Sequence, residues 1–119
     1  MQNKYKLKLS VQEPYLSFIK SGKKTVEGRL AKEKYLKLQK DDLIKINDLE
    51  VKVVKVTKYP SFRTLILSEG IEKVIPNARN LEEAVDVYYK FYSKDDEKLY
   101  GVVGISIKLD ENQQTSRLK

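Results

Sequence analysis

Apolar residues between positions 49 and 56 change phase half-way along the stretch, and this change limits the folds open to the chain. Leu49, Val51 and Val53 alternate with other residues, as expected for a strand with one buried face. Val54 and Val56 continue in the opposite phase. One extra residue in a strand, a β-bulge, produces such a switch and bends the strand. The pattern therefore predicts a bent strand of the kind that small barrels need.

Four further stretches have the length and alternation of short strands. They are residues 4–10, residues 25–30, residues 43–46 and residues 101–109. Asn47 and Asp48 have turn chemistry, which predicts that the third and fourth strands are joined by a tight turn.

A short helix is predicted between the first two strands. Pro14 is tolerated only near the start of a helix, and a glycine at position 22 is typical of a helix end. The segment Ser10-Val11-Gln12-Glu13 resembles a capping box, and either Ser10 or Glu13 fits the N-cap position.

Two longer helices are predicted in the second half of the chain. Ser61 caps the first, which ends at Gly70 and is followed by one more turn over 71–75. Asn80 caps the second, whose tyrosine stripe is typical of a core or a partner-facing surface. Two segments have weaker patterns: residues 33–40, which fit a helical turn or a loop, and residues 93–98, predicted to be a polar loop.

The order of these elements favours an α+β fold, a small β-barrel with peripheral helices, over a doubly wound sheet. A doubly wound sheet needs strands and helices to alternate throughout, and this chain has three strands in succession. A length of 119 residues fits one domain. We expect that domain to occupy residues 1–109, with a flexible tail over 110–119.

The chain contains neither histidine nor cysteine. It therefore has no imidazole acid or base, no thiol nucleophile and no imidazole or thiolate metal site. Catalysis, if present, would use Lys, Glu, Asp, Tyr, Ser or Thr, and we expect no metal and no cofactor. The lack of disulfides and of a long apolar run predicts a cytoplasmic protein that does not span a membrane.

The net charge of +7 is concentrated near the N-terminus. Residues 1–40 contain eleven lysines and arginines against three acidic residues, whereas residues 41–119 contain thirteen against fourteen. A positive surface attracts anionic partners, chiefly nucleic acid or an acidic membrane. The distribution is also compatible with a basic protein that has no such partner.

The basic region includes a run of turn, charged and small residues from Gly22 to Arg29. In a strand, Glu27 and Arg29 share one face with Thr25, while Val26 and Gly28 lie on the other. The charged face either lines a cleft or is simply solvated. Gly28 leaves a gap in the strand surface where another group can approach closely.

Four residues of this run match the G-x-K-x-x-E-x-R signature of ASCH domains: Gly22, Lys24, Glu27 and Arg29. The segment 9–15 is similar to the strand and helix start that precede this signature in the family. The segments 59–63, 90–92 and 100–103 are similar to the helical insertion and closing strand of its compact prokaryotic and archaeal members. The chain resembles an ASCH domain over nearly its whole length apart from the tail.

The resemblance implies a PUA-like β-barrel with RNA, a nucleoside or a nucleotide bound in a cleft beside it. Some relatives deacetylate acetylcytidine nucleosides with a lysine at the position of Lys24 and a threonine nucleophile at the position of Glu27, and others are ribonucleases. This chain departs from the deacetylating group at Glu27. A hydrolase that uses Glu27 as general base and Lys24 as oxyanion stabiliser stays an alternative to simple binding.

In the binding interpretation, Arg29 offers a planar fork to a phosphate or a base edge. Glu27 fixes that fork or accepts from a base amino group. The helical region 60–93 is a candidate surface for a protein partner. The full set of candidate ligand residues is Gly22, Lys23, Lys24, Glu27, Arg29, Tyr59, Arg63 and Tyr100.

Overall fold

A computed structural model describes residues 4–110 and contains one five-stranded sheet. The strands are β1 (Leu7–Leu9), β2 (Val26–Leu30), β3 (Leu43–Ile46), β4 (Leu49–Tyr59) and β5 (Val102–Leu109). Their order in the sheet is β1-β3-β4-β5-β2. Only β1 and β3 are parallel, and the other pairs are antiparallel. The sheet is mixed, with β1 and β2 as its two edges.

The predicted bulge in β4 is confirmed. Val53 pairs with Ile107 and Lys55 with Ser106, so Val54 is the extra residue between two consecutive positions of β5. Its side chain is 40% exposed, whereas Val53 is fully buried. The bulge bends β4, and the sheet curls into a half-barrel consistent with a PUA-like barrel.

Six helices surround the sheet, which confirms the predicted α+β class. They are α1 (Tyr15–Ser21), α2 (Glu33–Leu36), α3 (Phe62–Glu69), α4 (Ile71–Val74), α5 (Leu81–Tyr89) and α6 (Lys94–Tyr100). The predicted caps of α3 and α5 are confirmed, since the side chains of Ser61 and Asn80 accept from the backbone amides of Thr64 and Glu83. Gly22 ends α1 with a φ of 84°, where glycine has no steric penalty.

Two local predictions were wrong. Residues 94–100, predicted mostly as a polar loop, form α6, because Ser93 caps the segment and acidic side chains occupy its positive N-terminal turn. The N-cap of α1 is Pro14 and neither of the two predicted residues. Glu13 instead accepts from the amide and hydroxyl of Ser17, one turn into the helix.

Strand β5 separates two apolar clusters. Val103, Ile105 and Ile107 pack with β1, β3 and β4 on one side, and Val102 packs with the helices on the other. Both faces of β5 are therefore buried up to Ile107. Within residues 4–110, no helix is long and apolar enough to cross a membrane. The predicted tail lies outside the described residues except for Asp110, whose amide donates to the carbonyl of Glu50.

Candidate functional site

A cavity of about 250 Å³ lies beside the edge strand β2. One wall comes from β2, another from the segment between β1 and α1, and a third from the end of α5 and the turn after it. The lining includes Ser10, Gln12, Tyr15, Lys24, Glu27, Gly28, Arg29, Tyr88, Phe91 and Tyr92. Because β1 and β2 are the two edges of the curled sheet, the cavity occupies the side on which the half-barrel is open.

Lys24 is buried at the base of this cavity, with 2% of its surface exposed. Its ammonium group donates to the carbonyl oxygens of Val26 and Val74, at 2.8 and 2.5 Å. It also lies 3.3 Å from Oε1 of Glu27. Burial lowers the pKa of Lys24, and the carboxylate of Glu27 opposes this shift. Two hydrogen bonds and one ion pair thus hold the ammonium group in place.

Glu27 and Arg29 form the second ion pair of the site. Nε and Nη2 of Arg29 both lie 2.9 Å from Oε2 of Glu27. Nη2 also donates to the carbonyl of Ser10, which follows β1, so this hydrogen bond crosses the open side of the half-barrel. Burial is the largest single influence on the pKa of Arg29 and would lower it, but Glu27, Tyr92 and Tyr35 together raise the pKa above its usual value. Glu27 is thus held between two cations.

Gly28 and Tyr88 make the closest approach in the cavity wall. A β-carbon built on Gly28 would lie 2.8 Å from the hydroxyl oxygen of Tyr88, which is shorter than any ordinary contact. Burial raises the pKa of Tyr88 well above its usual value, and the neighbouring Gly28 amide counteracts this only in part. Among residues 4–110, that hydroxyl is the buried side-chain polar atom without a hydrogen bond of acceptable geometry.

Aromatic side chains form the apolar part of the wall. The ring of Phe62 stacks on Tyr88 with centroids 4.3 Å apart, and on Tyr92 with centroids 5.3 Å apart. Phe62 is fully buried and holds these two rings in place. Phe91 remains 49% exposed at the cavity. A rigid aromatic surface with one exposed ring is suited to stacking on a planar ligand.

The structure brings together only part of the predicted site. Lys24, Glu27 and Arg29 line one cavity, as the cleft interpretation expected. Gly22 lines a different, smaller cavity with Thr25, and Lys23 is exposed in the turn.

The three candidates from the second half of the chain lie outside the cavity lining. Tyr59 hydrogen-bonds to Glu69 on α3. Arg63 pairs with Glu82 on the exposed surface. Tyr100 lies under the ammonium group of Lys32.

Sequence reasoning missed Tyr88, Phe91 and Tyr92 as site residues. The signal for Tyr88 and Tyr92 was the tyrosine stripe of the helix capped by Asn80, which was interpreted as core or partner surface. Part of that interpretation is confirmed, because Tyr88 is buried and packs on Phe62. The stripe also reaches the cavity because α5 packs on α3 and extends Tyr88 to β2, a placement that no local pattern encodes. No cluster of three or more acidic side chains that could hold a metal occurs within 4–110.

Comparisons with known proteins agree with this fold. The crystal structure of hypothetical protein PH0355 is 42% identical, with a TM-score of 0.84 over 87% of this chain and 98% of that one. The solution NMR structure of protein PF0455 from Pyrococcus furiosus is 39% identical, with a TM-score of 0.75 over 88% and 97%. A search of curated proteins found no significant match. Residues 9–111 match the ASCH domain, and the chain therefore belongs to the ASCH domain family.

Proposed function

We propose that this domain binds RNA by holding one unpaired nucleotide in the cavity beside β2. One observation carries the proposal: Glu27, fixed between Lys24 and Arg29, lines a cavity that also has aromatic walls. A nucleotide combines a planar base, polar base edges and an anionic phosphate. The cavity offers an aromatic surface to the base and polar groups to its edges. The lysines of residues 4–40 other than Lys24 are exposed and add positive charge to the surface, which attracts a phosphate.

The division of charge inside the cavity supports this proposal. The ammonium of Lys24 is used by three protein oxygens, so its role is to hold Glu27 and the strand edge in place. Arg29 is the cation that remains able to meet a ligand, since its side chain keeps 15% of its surface exposed at the cavity. Nε and Nη2 already serve Glu27 and Ser10, so Nη1 is the group of Arg29 that can donate to a base edge or a phosphate.

The proposal is tested by fluorescence anisotropy with labelled single-stranded RNA at several salt concentrations. We expect the affinity to fall as salt rises, because phosphate contacts release counterions. Arg29→Ala removes a charged donor and should weaken binding about ten- to hundredfold. Arg29→Lys keeps the charge but loses the planar fork, and should give an intermediate affinity.

Arg79→Ala is the matched control, because Arg79 is exposed and pairs with Glu83, and neither residue lines the cavity. It should leave the affinity within about twofold. Thermal unfolding of each variant shows whether the fold is intact. No RNA binding by the wild type, or equal losses in the Arg29 and Arg79 variants, would refute the proposal.

The hydrolase alternative requires Lys24 to stabilise an oxyanion. The observed geometry favours binding, because that ammonium already serves Val26, Val74 and Glu27. Incubation of the wild type with acetylcytidine and with RNA, with and without magnesium or manganese, tests the alternative. Turnover that Glu27→Gln abolishes would replace the binding proposal with a catalytic one.

A further inference from the structure

The hydrogen-bonding phase of β2 turns the backbone of Gly28 away from the sheet. Ile107 donates to the carbonyl of Thr25, and Ala31 donates to the carbonyl of Gly101, in line with the register of the β2–β5 pair. In an antiparallel pair, hydrogen-bonded and non-hydrogen-bonded positions alternate. Gly28 and Gly104 are therefore a non-hydrogen-bonded pair, and the Gly28 amide and carbonyl face the open edge.

The two carbonyl groups beside Gly28 on the free edge of β2 accept hydrogen bonds from the protein itself. The carbonyl of Val26, in the same phase as Gly28, accepts from the buried ammonium of Lys24. The carbonyl of Leu30, also in phase, accepts from the amide of Lys32. Gly28 lies between them and lines the cavity. The edge is thus closed by protein groups on both sides of Gly28, whereas the Gly28 amide faces the Tyr88 hydroxyl without the geometry of a full hydrogen bond.

The hydroxyl of Tyr88 lies beside the Gly28 backbone and is the next polar group of the cavity wall. Tyr88 is 5% exposed, lines the cavity and approaches Gly28, yet its hydroxyl has no partner with acceptable geometry among residues 4–110. An unsatisfied hydroxyl in a buried position is costly unless water or a ligand completes its hydrogen bonds. The ring itself is fixed by its stack with Phe62, so the hydroxyl is held in position.

We propose that the Tyr88 hydroxyl and the Gly28 backbone recognise the polar edge of a nucleobase. This inference rests on the function proposed above and names the part of the nucleotide that enters the cavity. A hydroxyl donates and accepts, while the strand edge offers one amide donor and one carbonyl acceptor. A base with a donor next to an acceptor matches this set.

A phosphate does not fit this end of the cavity. The carbonyl of Gly28 and the carboxylate of Glu27 are both acceptors, and an anion beside them would be repelled. The sugar and phosphate therefore remain on the solvent side, near the exposed cationic surface. The exposed ring of Phe91 is available to stack on the base.

The test compares nucleosides whose base edge is free with nucleosides methylated on that edge. Uridine with N3-methyluridine, and adenosine with N6,N6-dimethyladenosine, are titrated by calorimetry against wild type, Tyr88→Phe and Tyr89→Phe. Inorganic phosphate is the probe for a simple anion site. Tyr89→Phe is the matched control, since its hydroxyl bonds to Glu97 and does not line the cavity.

We expect the wild type to prefer at least one free-edge nucleoside to its methylated partner. Tyr88→Phe should weaken binding of that nucleoside about three- to tenfold and reduce the preference, as expected for the loss of one hydrogen bond. Tyr89→Phe should keep both affinity and preference. A preference unchanged in Tyr88→Phe, or a cavity that binds phosphate better than nucleosides, would overturn the inference.

A second measurement needs no variant. On titration of the wild type with the preferred nucleoside, the amide resonance of Gly28 should shift in two-dimensional NMR. A bound nucleoside that leaves this resonance in place would also overturn the inference. If RNA binding depends on Arg29 while Tyr88 and Gly28 are unaffected, the inference fails and the proposed function stands. If neither RNA nor nucleosides bind the wild type, both fail.

Discussion

The ammonium group of Lys24 lies 3.3 Å from the Oε1 of Glu27, and both side chains are almost completely buried. Taking two charges out of water is costly, and their attraction compensates only when the remaining hydrogen-bonding groups are also satisfied. Lys24 meets this condition through two carbonyl oxygens, and Glu27 meets it through Arg29. The pair thus fixes Glu27, and through it the orientation of Arg29.

Replacement of Lys24 by methionine should strongly destabilise the fold. The variant leaves the carbonyls of Val26 and Val74 without this donor and removes one of the two cations that hold Glu27. We expect the free energy of unfolding in urea to fall by about 3 kcal/mol. Lys23→Met changes the exposed neighbour and should alter it by less than about 0.5 kcal/mol. Equal effects of the two substitutions would contradict the role assigned to Lys24.

Replacement of Gly28 by alanine should force Tyr88 out of its position. The new methyl group would lie 2.8 Å from the hydroxyl oxygen and 3.0 Å from the carbon that carries it. We expect a loss of about 1–3 kcal/mol of unfolding free energy, as for overpacked cores. Combined with Tyr88→Phe, the loss should be smaller than the sum of the single effects, because the nearest atom is removed. Strict additivity in this double-mutant cycle would argue against the contact.

Glu97 should contribute more to stability than its position in a polar segment indicates. Its buried carboxylate accepts from the amide of Phe62 at the start of α3 and from the hydroxyl of Tyr89 in α5. Glu97→Ala leaves both donors without this acceptor and should cost about 2–4 kcal/mol in urea unfolding. Asp95→Ala, in the exposed first turn of the same helix, should cost about 0.5 kcal/mol. A larger loss of unfolding free energy in Asp95→Ala than in Glu97→Ala would contradict the role of Glu97 in joining α3 and α5.

Stability should decrease at alkaline pH because several tyrosines, Tyr59 and Tyr89 among them, have a raised pKa in the folded state. Burial, followed by hydrogen bonds to Glu69 and Glu97, raises the pKa of Tyr59 and of Tyr89 to about 12. Their stabilisation is complete below the unfolded pKa of about 10 and is lost as the pH rises towards about 12.

The lowered pKa of Lys24 has the opposite sign, because the unfolded state then binds more protons. The lowered pKa of Lys24 makes the free energy of unfolding rise with pH until the pH reaches the pKa that lysine has in the unfolded state. Urea midpoints measured from about pH 9 to about pH 12 should therefore decline in the upper part of this range. Tyr89→Phe should make the decline shallower. An unchanged slope in that variant would contradict the shift assigned to Tyr89.

Much of the fold was predictable from the sequence because its signals are local. The phase switch at Val53 and Val54, the caps Ser61 and Asn80 and the stop at Gly22 each depend on a few adjacent residues. Such patterns fix strands, helix ends and a bulge without knowledge of distant contacts. The helix α6 was missed because its charged composition hides a capping residue and an acidic first turn, which also act locally.

The candidate site was likewise predictable only where it depends on a local sequence pattern. The alternation within β2 placed Glu27 and Arg29 on one face from the sequence alone, and Gly28 was expected to allow a close approach. Only the tertiary structure decided that Tyr88 makes this approach and that Tyr59, Arg63 and Tyr100 lie elsewhere. The physical reason is that the cavity forms where the curled sheet leaves β1 and β2 apart and where α3 carries α5 close enough for Tyr88 to reach β2. This arrangement brings together Ser10 and Tyr92, which are 82 positions apart in the chain.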